Sequence, residues 1–486
     1  MPVPTWIEWM GALVLVGPLL AFLGMVVVAV FELPLSERVT NRWVQWTSVV
    51  AIVACTSLGI WMLVQGRAQL PVEFGDLVSL PELHFHFRAH FLFDRLSLPF
   101  LMLSFVLCSV VGAFARVYLH REEGYRRFYL LFALFELGMV LSSAAGTVEL
   151  MFAGWEMVGL SSALLIAFFQ DRPASVHNGL RVWSVYRIAD AAFLMAAVVL
   201  HHLVAGGDFT LMTGVEAWPN GSVQVEASAV WLAGGLLLVS AAGKSGLWPF
   251  SGWLPRAMEG PTPSSAIFYG ALSIHLGTFL LLRFAPLLEQ SLALRAILIL
   301  LGLGTAVWAS LVAKVQADIK SSLAFASLTQ VGIIVAEIGA GWESLALIHI
   351  LGNASLRTLQ LLRAPSLLHD VHQLECATGE DWVSGQRMGS PSRWRQALYR
   401  AGFQRDAFDL VLQSWIVDPF LKLCHGYGRA ETSVRRWLSG APQESTTPPT
   451  VLLPTWVSRG WGVGLSLALL GLVLALVAGR ADFGWF

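Results

Sequence analysis

Long apolar blocks alternate with short polar ones along most of this chain. A helix needs roughly 20 apolar residues to cross a hydrocarbon core of about 30 Å. Runs of that length fall near 8–31, 43–65, 94–117, 127–145, 147–169, 180–203, 229–252, 262–286, 292–313, 320–340 and 342–363. These blocks do not show the ten-residue alternation of barrel strands, so helix is the expectation throughout. The first run carries no clear small-residue cleavage site and reads as a retained helix rather than a signal peptide. Past residue 363 the pattern changes. Residues 364–405 are polar, while 406–437 are amphipathic, broken by Pro419 and too polar to span, as befits a lateral helix in the interface plane. An extended linker follows from Gly440 to Pro454, and a twelfth apolar run occupies 459–479. The pattern predicts an all-α polytopic membrane protein of about twelve transmembrane helices.

Composition points the same way. Of 486 residues, 56% are hydrophobic and 13% charged, against about 25% charged in a soluble domain; a surface so apolar has to face lipid. The net charge of −1 excludes a polybasic nucleic-acid binder. Cys55, Cys108, Cys376 and Cys424 stand singly. No disulfide framework, zinc knuckle or iron–sulfur cluster is expected from them, and no metal or cofactor site elsewhere. Arg and Lys in short loops orient the helices. Loops after odd-numbered spans hold Arg38, Arg42, Arg116, Arg121, Arg126, Arg127, Arg172, Arg256 and Lys314; those after even-numbered spans hold Arg67, Arg88 and Arg295. The odd loops are therefore expected in the cytoplasm, together with the lateral helix, and both chain termini outside.

Several charges fall where lipid should be. A charged residue at the bilayer centre costs about 2.5–3.5 kcal/mol and by default marks a pathway or a pair. Glu156 is central in span five, Lys244 in span seven and Glu136 in span four, with His275 in span eight. Asp190 follows Arg187 by three residues, on one face of span six. Lysine is scarce here: of 31 cationic side chains only Lys244, Lys314, Lys320 and Lys422 are lysine. Unlike arginine, a buried lysine can lose its proton. Glu156 and Lys244 therefore suit either a titrating relay or a static buried pair. His275 suits a relay or a helix–helix hydrogen bond, and Asp190 with Arg187 a brace or a modulator of Glu156. Pro249 and Pro255 follow Lys244 closely, so span seven should break there; broken helices are tolerated at membrane depth where they line a cavity.

Two decoys fall away. Gly243-Lys-Ser245 is not a phosphate loop, because Leu238 stands where the first glycine is required. His84, His86 and His90 alternate with Phe85 and Phe87, which is strand spacing rather than a metal site.

Phe93-Asp-Arg-Leu-Ser97, Arg121-Glu-Glu-Gly-Tyr125, Gly154-Trp-Glu-Met-Val-Gly-Leu160, Tyr186-Arg-Ile-Ala-Asp190, Gly243-Lys-Ser245, Trp253-Leu-Pro, Gly260-Pro-Thr-Pro-Ser-Ser-Ala266 and Gln316-Ala-Asp-Ile-Lys320 occur in that order. Over about residues 90 to 360 this series resembles the antiporter-like proton-channel subunits of respiratory complex I. It is most similar to subunit L (subunit 5 in mitochondria), a family shared with multi-subunit sodium/proton antiporters. The resemblance implies a proton relay of Glu156 and Lys244, modulated by Arg187 and Asp190. It places His349 on a broken eleventh helix; read from the residues themselves, His275, His349, Lys320 and Glu136 are possible relay groups. The chain departs from the family at Asn353 and Arg357, where a second His and then a Lys are usual, and at Tyr269, where subunit L has His. Arginine keeps its proton, so Arg357 is expected as a barrier or structural charge.

No counterpart of the family's helix-twelve lysine is found. The expected organisation is amino-terminal helices over 1–117, a complete half-channel over 118–286 and a truncated second over 287–363. A cytoplasmic segment, 364–455, and a last helix, 456–486, complete it. The resemblance implies a proton-conducting subunit of an energy-coupled complex in a bacterial cytoplasmic (inner) membrane, beside other membrane subunits. No autonomous catalytic site is expected, although the whole could be a translocase like NADH:quinone oxidoreductase. Two alternatives remain. One is the membrane subunit of a two-component inorganic carbon uptake system, partnered by a large soluble zinc protein; the other is a structural anchor of a redox complex.

Overall fold

A computed structural model describes residues 4–378 apart from 81–84, 205, 215, 223–225 and 317, together with scattered positions between 396 and 433. Side chains are described except at 76–80, 85–87 and 365–378. The linker and the twelfth run lie outside the described residues, as does nearly all of the lateral helix.

Among the described residues, 11 helices are long and apolar enough to cross a membrane. They are Thr5–Val30, Glu37–Gln65, Ser97–Tyr118, Tyr125–Ala144, Val148–Ile166, Pro173–Val204, Ala227–Trp253, Thr262–Arg283, Leu292–Ala313, Ile319–Ala340 and Glu343–Ala364, called spans one to eleven below. Each expected run falls on one of them. Span eight is buried along its whole length, inside the bundle. Close packing around it relies on small residues, as membrane helices generally do. A Cβ added at Gly302 of span nine would meet the Gly332 carbonyl oxygen of span ten at 2.5 Å, so the two backbones touch.

The loops sort to two ends. At one, β1 (Gln69–Leu80) pairs antiparallel with β2 (Phe85–Asp94), which is the strand that the alternating histidines predicted. Phe91 of β2 bridges Ala145, Thr147 bridges Asp208, and the Gly146 amide donates to the His90 carbonyl at 2.8 Å. Buried Asp94 and Arg283 form an ion pair that ties the hairpin to the end of span eight. The arginine-rich loops meet at the other end. There His120 bonds Glu37 at 2.7 Å, Arg126 donates to the Leu35 carbonyl at 3.0 Å and Arg127 to the Phe168 carbonyl at 2.8 Å.

Span seven breaks as expected. Its regular helix stops at Ser245, Gly246 turns left-handed at φ 66, and irregular turns Phe250–Trp253 and Pro255–Glu259 follow. Pro249 and Pro255 cannot donate to a helical ladder, which keeps the helix from resuming. Span eleven corrects an expectation: its helix runs unbroken from Glu343 to Thr378. Gly352 is the only glycine or proline before Pro365, and a lone glycine keeps its amide, so the ladder continues. The irregularity lies in span eight instead, where Ala266–Ala271 forms a π-helical turn.

Candidate functional site

Spans five, six and seven meet at Lys244. It sits in the last helical turn of span seven, one residue before the break, where unpaired carbonyls favour a cation. The side chain is fully buried. Its ammonium donates to the Trp155 carbonyl at 3.0 Å and lies over two aromatic faces, Trp155 at 4.7 Å and Tyr186 at 4.6 Å. Cation–π attraction is strongest in such desolvated settings. Glycine makes the room: a Cβ at Gly159 would stand 3.2 Å from the ammonium, and one at Gly243 would strike Ala189 at 2.8 Å.

The structure does not join Lys244 to Glu156 directly. Glu156 accepts from Arg187 at 2.7 Å, and Arg187 reaches Asp190 Oδ2 at 2.6 Å. That second approach is an ion pair without hydrogen-bond geometry, which leaves Asp190 Oδ2 lacking a donor. Asp190 Oδ1 accepts from the Trp155 indole at 2.6 Å. Trp155 thus meets Asp190 through its side chain and Lys244 through its carbonyl. Asp190 and Lys244 are buried, whereas the Glu156 and Arg187 side chains are 29% and 36% exposed. The outer half of the network reaches the surface of this chain at mid-membrane depth.

A second polar network connects spans eight, ten and eleven. His275 bonds the Ala271 carbonyl through Nδ1 and meets the Asn353 amide at 3.1 Å through Nε2. Arg357 donates to Asn353 Oδ1 at 3.4 Å, Gln360 Oε1 at 2.6 Å and the Ala326 carbonyl at 3.2 Å. His349 lies between Glu337, at 3.0 Å, and Gln330, also at 3.0 Å. Between the networks stand Trp253, 5.1 Å from the Tyr186 ring, and Tyr269, 5.5 Å from Trp253. Lys320 stands apart, half-buried at the start of span ten. Glu136 is fully buried in span four, bonded to Ser48, outside both networks.

Trp155, Tyr186, Gln330 and Glu337 belong to the site without having been singled out. Glu337 carried a usable signal, a carboxylate inside an apolar block near its end. Trp155 acts partly through its carbonyl, which every residue has. Among the described residues no group of three or more His, Cys, Asp or Glu could hold a metal ion.

Two segments match families described as "NADH:quinone oxidoreductase/Mrp antiporter, TM" (residues 145–378) and "NADH-Ubiquinone oxidoreductase (complex I), chain 5 N-terminus" (residues 80–129). The chain is a multi-pass membrane protein and belongs to the complex I/Mrp antiporter-like family of subunit L. NADH-ubiquinone oxidoreductase chain 5 of Neurospora crassa is 28% identical over 354 residues, 73% of this chain and 48% of that one. A probable inorganic carbon transporter subunit of Halothiobacillus neapolitanus is 29% identical over 360 residues, 73% of this chain and 62% of that one. The solved Mrp complex from Dietzia sp. DQ12-45-1b shares the fold, with TM-score 0.60 and 24% identity over 79% of this chain and 39% of the matched one. The chain spans about half the length of the curated chain-5 relatives it matches.

Proposed function

We propose that this protein is a proton-translocating membrane subunit of an energy-coupled complex, and that Glu156, Arg187, Asp190 and Lys244 form its relay. The observation that carries this reading is Lys244. Its ammonium is wholly buried, yet it is held by one carbonyl and two aromatic faces rather than by a carboxylate. A brace would pair its charges; here the cation and the carboxylates sit in sequence, with Arg187 between the two carboxylates. Arg187 holds Glu156 and Asp190 by charge without exchanging its own proton. A proton arriving at Glu156 weakens that hold, freeing Arg187 toward Asp190 and changing the field at Lys244. The segment 118–286 then serves as a complete half-channel and 287–363 as a truncated second.

The exposed edge of Glu156 and Arg187 would be costly against lipid, so another membrane subunit of the complex covers it. A second setting is supported by the inorganic carbon transporter subunit, of which this chain covers a larger share than of chain 5. In that setting the coupled process is inorganic carbon uptake and the partner is a large soluble zinc protein. Purification from native membranes separates the two: co-purifying oxidoreductase subunits favour redox coupling, and a soluble zinc protein favours carbon uptake. Proton flux in vesicles holding the intact complex tests the relay itself, and normal flux in a fully assembled Glu156→Gln variant would refute it.

A further inference from the structure

Spans two, three and four enclose another polar column, which the relay around Lys244 does not use. Three stripes at helical spacing face one another: Asn41, Gln45 and Ser48 on span two; Cys108, Ser109 and Gly112 on span three; Tyr125, Tyr129 and Glu136 on span four. At the arginine-rich end the Tyr125 hydroxyl donates to the Glu37 carbonyl at 3.2 Å. One turn deeper, Asn41 donates to the Tyr129 hydroxyl at 2.8 Å and to the Gly112 carbonyl at 3.0 Å. The Tyr129 hydroxyl donates to that same carbonyl at 2.7 Å. Gln45 lies against Gly112, where an added Cβ would come within 2.3 Å of its Nε2. Deepest, the Ser48 hydroxyl donates to Glu136 Oε1 at 2.7 Å. At about 1.5 Å of rise per residue, Ser48 and Glu136 both lie about 16 Å from that end, near the middle of a core about 30 Å thick.

The satisfied bonds are what a structural clamp would show. The unsatisfied ones are not. Thr40 Oγ1, Gln45 Nε2, Ser109 Oγ and Glu136 Oε2 are all buried without a partner, and Thr40 and Glu136 are fully enclosed. A buried polar atom left dry is costly. Water bridging between polar groups is how folded proteins remove that cost. Gln45, Ser109 and Glu136 place three of these orphans in the three facing stripes, continuous with the Tyr125 hydroxyl at the helix ends, which points to a wet route rather than a packing flaw. Cys108 on span three faces Glu136, with the Ser48 hydroxyl opposite, and among the described residues no ion pair reaches this carboxyl. Glu136 also lies between the two segments matched to the family, so that likeness assigns it nothing.

We propose that this column is a hydrated inlet from the cytoplasmic, arginine-rich face, and that Glu136 at its end is a carboxyl group exchanging protons with cytoplasmic water. The inlet does not depend on the relay around Lys244. Infrared difference spectra of the intact complex in vesicles, taken across a pH step in water and in heavy water, test it. The expected spectrum holds a carboxyl–carboxylate conversion that disappears in Glu136→Gln. Deuterium exchange of that carboxyl should slow by an order of magnitude or more in Asn41→Leu, and also in Tyr129→Phe, which keeps the ring and is gentler on folding. A pH step that leaves the Glu136 band unchanged overturns the proposal, as does exchange equally fast in both inlet variants. The Glu136 band and its exchange rate in Lys244→Arg should match the native ones, so failure of the relay and failure of the inlet are distinguishable.

Discussion

Around Lys244 one ammonium and one guanidinium stand beside two carboxylates, Glu156 and Asp190, linked in sequence by Arg187 and Trp155. Around Arg357, by contrast, a guanidinium is surrounded by neutral acceptors from Asn353, Gln360 and the Ala326 carbonyl. The first network holds three side chains of a proton-exchanging type, two carboxylates and a lysine. The cation of the second is fixed, and its exchangeable groups are displaced to His349 and Glu337 on one side and to His275 on the other. His275 bonds a carbonyl through Nδ1 and an amide through Nε2, a pattern that suits one neutral tautomer. Two polar clusters in one bundle thus differ in what they can do. The first is the network proposed above as the relay; the second surrounds a fixed positive charge with neutral acceptors.

The largest effect that would break this contrast is at Lys244. Lys244→Arg should leave membrane abundance unchanged and lower coupled proton transport by about 10²–10⁴-fold, the usual worth of a positioned proton-transfer group. Arginine supplies the charge without an exchangeable proton. Glu156→Gln should fall in the same range. Transport by the assembled complex in vesicles, normalised to the amount of subunit, is the measurement. Near-native flux in Lys244→Arg would make the first network as static as the second.

A smaller effect is expected at Glu337→Gln. It removes the carboxylate on His349 and leaves the Gln330 contact. One charge-assisted hydrogen bond is worth about 1.5–3 kcal/mol, so transport should drop by about tenfold or somewhat more. A fall as deep as that in Lys244→Arg would show that the second network also lies on the proton path.

Arg357→Lys is the sharpest comparison, because little should happen. A lysine keeps the fixed charge near the same neutral acceptors, and transport should stay within about twofold, the scatter of substitutions that touch no special mechanism. A strong gain would mean that Arg357 blocks a path that a lysine opens.

How much of this was visible in the chain depends on which interaction does the work. Eleven spans were legible because lipid demands long apolar blocks, and the break in span seven because Pro249 and Pro255 remove backbone donors. Arg187 and Asp190 were legible as an i, i+3 pair. The break assigned to span eleven came from resemblance rather than from residues, since Gly352 alone does not interrupt a ladder. The π turn at Ala266–Ala271 leaves no local mark. It lies where Gly270 admits span eleven so closely that an added Cβ would meet Leu361 at 2.5 Å. Lys244 bonds the Trp155 carbonyl, and a main-chain acceptor has no signature in sequence. Pairing Lys244 directly with Glu156 was the natural expectation from two opposite charges; the structure inserts Arg187, Asp190 and Trp155 between them.

The smallest effect should come from an ion pair outside both networks, and it serves as their control. Asp208, between spans six and seven, accepts from His90 at 2.9 Å and lies 3.8 Å from Arg88. The His90 hydrogen bond, helped by the nearby Arg88 charge, holds its carboxyl below the ordinary value. A carboxyl depressed in the folded state stabilises fully above its unfolded value, about 3.9 for Asp. That contribution is lost as pH falls through the lower folded value. At neutral pH, Asp208→Asn should therefore lower the melting temperature of the detergent-solubilised protein slightly, through weaker anchoring of β2 to the loop before Phe209. In acid, below the folded value, the two melting curves should converge. Proton transport at neutral pH should be unchanged, because neither Lys244 nor Arg357 touches this pair. If Asp208→Asn instead cost as much transport as Lys244→Arg, the hairpin end would be part of the proton path, and the division between a passing network and a holding one would have to be redrawn around it.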